Sequence, residues 1–193
     1  KGNWILMGSN GGEMILSVDK YEIMNRANMD GRDLRIIDPV LSHPSTILVR
    51  DKAIVLNLEH IKGIITSEEF LLRSPMDDDI IPVVEELRRR RRRMDADAED
   101  KNPFQFLVLD VTLEAICSFL SARTTELENS VYPALDLLTK RIVLSNMDDI
   151  RKLKSQMTRL SSRVHRAEYT VKEEIEKFLG DDDHMAELLL SRE

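Results

Sequence analysis

Aromatic residues make up only 5% of the 193-residue chain, too few for the stacking platforms that bind bases or sugars. One cysteine, Cys117, excludes a disulfide framework within one chain and fits a reducing compartment. Positive charge is in deficit. At a formal net charge of −7 the chain is repelled by nucleic-acid backbones, so no nucleic-acid partner is expected; the acidic balance suits divalent cations or basic partners instead. No run approaches the roughly 18 to 20 apolar residues that span a bilayer, and no signal peptide is legible. A phosphate loop, a nucleophile elbow and a dinucleotide fingerprint are all missing. His43, His60, His165 and His184 lack zinc-type spacing. Cys117 has no flanking nucleophile motif and lies beside an apolar stripe, as a structural residue does. Without a catalytic constellation, an enzyme is not expected.

What is present is enough for a core: 42% of residues are apolar and 33% charged, a balance that suits one domain with long, solvated helices. The chain begins at Lys1, without methionine, and Glu193 falls inside an apparent helix, so both ends are expected to be cut from a longer protein. The first third reads as strands. Trp4–Met7 and Met14–Val18 flank an Asn10-Gly11 hairpin turn. Asp19 is placed to cap a short helix, with Glu22 at capping-box spacing, running to about Asn28. Strands are expected at Leu34–Ile37, Thr46–Val49, Ala53–Leu58 and Ile61–Thr66, with Phe70–Leu72 closing the sheet and a helix from Ile80 to about Arg92. The fold class is α+β: a small, mostly antiparallel or mixed sheet with flanking short helices, followed by long antiparallel helices. Residues 1–93 form the α/β part, 94–102 a linker and 103–193 a long-helix part.

The linker is small and charged. Asn102, Pro103 and Gln105 then form a helix start. Phe106, Leu109, Leu113, Ile116 and Leu120 step at helical spacing, and the stripe resumes at Leu127 and Val131, with Pro133 expected to kink or split the helix. After a Ser145-Asn146 turn, a second stripe at Ile150, Leu153, Met157, Leu160 and Val164 keeps a seven-residue repeat. It could drive coiled-coil oligomerisation; the short connection favours an internal seam between the two helices. Gly180 ends the second helix, and a third is expected near His184.

Clustered carboxylates at Asp181, Asp182 and Asp183, with His184 and Glu187 nearby, suit hard cations such as Mg²⁺. They equally suit a helix N-terminus, where carboxylates cap free N–H groups, and they lack the spacing of a calcium loop. Asp77–Asp79 reads as capping and solvation. The six arginines Arg88–Arg93 could meet nucleic acid or anionic lipid, but a solvated helix end paired with the acidic linker is the favoured reading.

The segment Arg32-Asp33-Leu34-Arg35-Ile36-Ile37-Asp38-Pro39 resembles plant CorA-type magnesium transporters, in the eukaryotic Mrs-type branch of that superfamily. The resemblance continues through Pro44-Ser45-Thr46-Ile47-Leu48, Ala53–Lys62, Pro103-Phe104-Gln105-Phe106, Leu113-Glu114-Ala115, Tyr132-Pro133-Ala134-Leu135-Asp136, Arg151–Ser155 and Asp181–Leu188. It thus covers nearly the whole chain in order. Gln105 and Asp110 stand where the plant pattern usually has glutamates, Leu107 replaces an arginine, Gly180 and His184 interrupt a longer acidic run, and the arginine tract is extended.

The resemblance implies the soluble, regulatory domain of a magnesium channel. It implies a homopentamer in the full-length protein and a membrane reached through two downstream helices that are not in this chain. The domain would lie on the cytosolic or equivalent inner side of a plant membrane. It also implies Mg²⁺ as permeant ion and weak regulatory ligand, with Asp181, Asp182, Asp183 and Glu187 as the metal-facing residues. A helical scaffold or adaptor without transport function is the alternative. The isolated chain is expected to be monomeric or weakly associated, because its heptad stripe is used internally. Adjacent residues of a helix do not share a face, and Mg²⁺ keeps several of its waters, so one chain forms an incomplete site. Calorimetry on this chain should therefore give millimolar or weaker Mg²⁺ binding; one-to-one micromolar binding would mean that one chain builds the whole site.

Overall fold

A computed structural model describes residues 2–38, 40–41, 43–50, 52–96, 103–139 and 147–179. The Asn102 cap, the Ser145-Asn146 turn, Gly180 and the expected third helix lie outside the described residues. Strands β1 (Gly2–Gly8) and β2 (Glu13–Val18) form the expected hairpin. At its tip Asn10 Oδ1 accepts from the Gly12 N–H at 2.9 Å, and Gly11 takes φ +91°, a conformation that glycine adopts without steric cost. Helix α1 (Lys20–Ala27) starts where Asp19 Oδ1 accepts from the Glu22 N–H at 3.1 Å, and it ends on left-handed Asn28. Strands β3 (Thr46–Arg50), β4 (Ala53–Leu58), β5 (Ile61–Ile65) and β6 (Glu69–Arg73) follow. Helices α2 (Ile81–Ala96), α3 (Phe104–Thr139) and α4 (Met147–Leu179) complete the order.

All pairings are antiparallel, in the order β2-β1-β6-β5-β4-β3. The segment expected to close the sheet is therefore internal: Leu72 of β6 pairs with Ile5 on one side and Gly63 on the other. Both faces are covered. On one, Ile5, Met7, Leu56 and Phe70 pack against Val83 and Leu87 of α2 and Val108 and Val111 of α3. On the other, Trp4, Leu6, Val55 and Leu71 pack against Ile23 and Ala27 of α1. Strands buried on both faces read as continuous apolar runs rather than alternating ones, as Ala53–Leu58 does, buried throughout. Its buried Asn57 donates from Nδ2 to the Pro44 carbonyl at 2.9 Å, which satisfies that amide nitrogen.

Several expectations are corrected. Leu34–Ile37 is not a strand: Asp33–Arg35 is a 3₁₀ turn. Leu34 and Ile37, three apart, both enter the α1-side core, which a 3₁₀ turn permits and a strand, with its alternating faces, permits only at even spacing. Helix α2 runs on to Ala96, past the expected start of the linker. Pro133 does not split α3, which stays one helix of 36 residues, about 54 Å long. Although no membrane-length run was legible, α3 is long and apolar enough from Phe104 to Pro133 to cross a membrane by length and composition. Its residues Val108, Val111 and Ile116 are buried in the core on the α2 side of the sheet. The α3–α4 seam is open in part. Ile150, Leu153, Leu160 and Val164 are half-buried, but Met157 is 47% exposed, and a cavity of about 350 Å³ lies between Arg123, Leu127, Gln156 and Leu160.

Gly63 marks the tightest point of the sheet. A Cβ there would lie 2.6 Å from the Phe70 ring and 2.8 Å from the Leu71 carbonyl oxygen, and the carbonyl cannot rotate away. Gly63→Ala should lower stability by about 3 kcal/mol in urea denaturation. A loss of less than about 1 kcal/mol would mean that the strand yields at this contact.

Candidate functional site

Asp181, Asp182, Asp183 and Glu187, with His184, lie outside the described residues, immediately after α4 in the chain. Asp77 sits before α2, its carbonyl accepting from Ile80 and Ile81 and its Oδ1 from the Asp79 N–H at 3.2 Å; this is the capping geometry expected of that triplet. Cys117 is exposed, which corrects its reading as a structural residue. Among the described residues, no three His, Cys, Asp or Glu side chains come together as a metal site.

The structure instead gathers charge at the joints between the sheet and the long helices. The first joint is made by the arginine run. Helical periodicity sends its members in different directions. Arg88 grips Glu13 of β2 with contacts of 2.6 to 2.9 Å. Arg89 pairs with Glu86 at 2.5 Å. Arg90 reaches Glu86 at 2.7 Å and also Asp110 and Glu114 of α3, and Arg91 donates to the Gly8 carbonyl of β1. The Arg89 and Arg90 guanidiniums hold the Glu86 carboxyl down to about 2, and Arg88 lowers Glu13 in the same way. Among the described residues the run joins hairpin, α2 and α3, with Arg92 and Arg93 exposed; its expected pairing with the acidic linker lies outside the described residues.

The second joint lies at the β4–β5 turn, where Glu59 takes φ +48°. Arg163 of α4 donates to Glu59 Oε2 from Nε at 3.0 Å and Nη2 at 2.7 Å. The Arg163 guanidinium also lies 5.5 Å from the centre of the Phe119 ring of α3, where Arg123 stands at 5.3 Å. The His60 ring is 4.4 Å from the same phenylalanine, so β-turn, α3 and α4 meet at one aromatic side chain. Among the described residues, His60 Nδ1 is buried without a hydrogen-bond partner. Burial pushes the imidazole below its ordinary value, against the opposing pull of Asp79, Asp77 and Glu59, with Arg163 adding to the depression. A cavity of about 430 Å³ adjoins it, walled by Asp79, Val83, Glu86, Glu114 and Phe119. These groups form no nucleophile–base pair. What they do is hold the helices in one position relative to the sheet.

Sequence reasoning missed this second joint because Glu59 and Arg163 are 104 residues apart. The first left a signal: Asp110 and Glu114 are one helical turn apart, a carboxylate stripe matched to an arginine-rich helix. The His60 depression has a pH consequence. The folded state resists protonation that the unfolded chain accepts at about pH 6.5, so this contribution is complete above that pH and is lost as pH falls toward the folded value. Melting temperature should drop between about pH 7 and pH 5, and His60→Gln should flatten that part of the profile; equal slopes in both proteins would remove His60 as the cause.

With this geometry in view, a family model described as "Magnesium transporter MRS2-like" matches residues 8–193. The chain is 54% identical to magnesium transporter MRS2-2 and 51% identical to MRS2-7, both of Arabidopsis thaliana, over 98% of its own length in each case. It is 45% identical to magnesium transporter MRS2-B of Oryza sativa over 91% of its length and 39% of that relative. The chain spans about half the length of the curated relatives it matches, 52% of MRS2-2 and 51% of MRS2-7.

Proposed function

The chain belongs to the MRS2-like magnesium transporter family, and we propose that it is the soluble gating domain of a CorA-type magnesium channel. The match over residues 8–193 carries this reading. The membrane helices and the pore are assigned to the part of the protein beyond this chain. Five copies surround one pore, with this domain on the cytosolic or equivalent inner side. The domain performs no chemistry of its own, and the isolated chain is monomeric or weakly associated.

Mg²⁺ is the permeant ion and also a weak ligand of the domain. Asp181, Asp182, Asp183 and Glu187 face carboxylates of a neighbouring subunit, and Mg²⁺ between them neutralises the repulsion and favours the closed ring. When Mg²⁺ falls, repulsion returns and the ring loosens. The joints described above support a gating role. The acidic residues follow α4 directly, and α4 is tied through Arg163 to Glu59 and through Phe119 to α3, so a displacement of α4 is carried to the sheet.

Full-length protein in liposomes should conduct Mg²⁺; no flux from a correctly inserted oligomer would overturn the function. Replacing Asp181, Asp182 and Asp183 together by alanine should raise the internal Mg²⁺ concentration that inhibits the channel by roughly tenfold. The isolated domain should stay folded, at a capping cost of about 1 kcal/mol. Unchanged inhibition in patch-clamp recording would leave helix capping as the whole role of the triplet.

A further inference from the structure

The cavity of about 430 Å³ beside His60 runs between the start of α2 and the first half of α3. That volume is in the range of small-molecule sites, about 300 to 1,000 Å³. Its floor is apolar. Pro82 and Val83 supply one wall from the first turn of α2, and Val111, Ala115 and Phe119, four apart along one face of α3, supply the other. Carboxylates stand at the rim: Asp78 and Asp79 in the turn before α2, Glu86 farther along it, and Glu114 on α3. These four are not equivalent. Glu86 and Glu114 are held by Arg89 and Arg90, two guanidiniums against two carboxylates, and Arg90 is shared further with Asp110. The Asp78 and Asp79 side chains meet no guanidinium or ammonium group within bonding distance among the described residues. Burial keeps the His60 imidazole below its ordinary value, so it adds no positive charge at neutral pH. Asp77 opposes the partial positive charge at the start of α2. One end of an apolar groove is therefore left with two uncompensated negative charges.

We propose that this cavity binds a primary amine carrying a compact apolar body. A protonated amine offers N–H donors only, and it meets Asp78 and Asp79 through charge-assisted hydrogen bonds. Both carboxylates are exposed, and exposed ion pairs contribute little by themselves. The affinity therefore depends on the body, which leaves water against Val83, Val111 and Ala115. A bare divalent cation is a poor match. Among the described residues no three His, Cys, Asp or Glu side chains come together, and the apolar floor offers such an ion no oxygen. An anion would meet the two free carboxylates, and an uncharged ligand would leave their charge unanswered. Ser118, exposed one turn beyond Glu114 on α3, borders the groove, so a larger side chain there reaches over the space meant for the body.

The test uses this chain, isotope-labelled, titrated with 2-phenylethylamine and followed by NMR at the Val83, Val111 and Ala115 methyls. Saturable shifts at these positions are expected. Ethylamine, which lacks the body, and 2-phenylethanol, which lacks the charge, should each bind at least about tenfold more weakly. Replacing Asp78 and Asp79 together by asparagine should weaken phenylethylamine by about tenfold or more. Both side chains are exposed, and the residue 79 backbone N–H still donates to Asp77, so the fold survives the change. Glu85→Gln removes a charge from an exposed position of α2 outside the cavity and should leave binding within about twofold. Ser118→Trp, also at an exposed position, should weaken phenylethylamine by about tenfold. Mg²⁺ at matched concentration should not displace the amine. Phenylethylamine bound no better than ethylamine would be surface charge alone and would overturn the proposal. Equal binding by the double asparagine variant or by Ser118→Trp would overturn it too, as would displacement by Mg²⁺, which would make the groove a site for hard cations.

Discussion

Strand β4, next to the β3 edge of the sheet, is buried along its whole length on both faces, and the rest of the structure follows from covering it. An antiparallel sheet with one wet face needs helices on one side only; this one needs both. The α1 side is closed by a short helix and a 3₁₀ turn, contributing Ile23, Ala27, Leu34 and Ile37. The opposite side takes α2 and the first half of α3, through Val83, Leu87, Val108 and Val111. Because α3 is much longer than the sheet is wide, its remainder projects away with α4 beside it. An elongated arm on a compact base is thus a consequence of which residues of α3 are apolar enough to be buried.

Charge then determines how firmly the arm is held. Arg90 bridges Glu86 on its own helix to Asp110 and Glu114 on α3, and Arg163 bridges α4 to the β4–β5 turn. Exposed pairs of this kind contribute little each, about 0 to 1 kcal/mol. Their effect is positional: a carboxylate accepting two guanidinium N–H bonds tolerates little rotation. Glu59 is more sheltered than Arg163, with side-chain exposures of 13% and 41%, and it is held on a left-handed turn. The joint is therefore anchored on the sheet side, while the helix side retains freedom.

The arginine run illustrates how one sequence feature divides into several roles. Consecutive residues of a helix point about 100° apart, so six arginines in a row cannot act as one patch. Arg90 serves the α3 contact, Arg88 and Arg91 hold the hairpin, and Arg92 borders a cavity whose other wall is apolar. A solvated helix end was a fair expectation from composition, since arginines are common there; which carboxylates would meet them depended on the approach of β2 and α3.

Local chemistry was legible in the residues. The Asn10-Gly11 turn, the Asp19 cap and the apolar runs of β3, β4 and β5 lie where the sequence places them, because each depends on neighbours within a few positions. The helical stripes likewise announced α3 and α4. Tertiary structure decided what those signals leave open. Leu34–Ile37 has strand-like composition, but Leu34 and Ile37 had to reach one core, and a 3₁₀ turn does that where a strand does not. β6 became a central strand because β1, far away in sequence, pairs with its free edge. The Glu59–Arg163 pair and the meeting of His60, Phe119 and α4 required the completed packing of elements distant along the chain. The acidic residues Asp181, Asp182, Asp183 and Glu187 were picked out by their clustering and by the family resemblance, both visible in a linear reading. What such a cluster binds depends on the oxygens that other segments, or other copies of the chain, bring to face it.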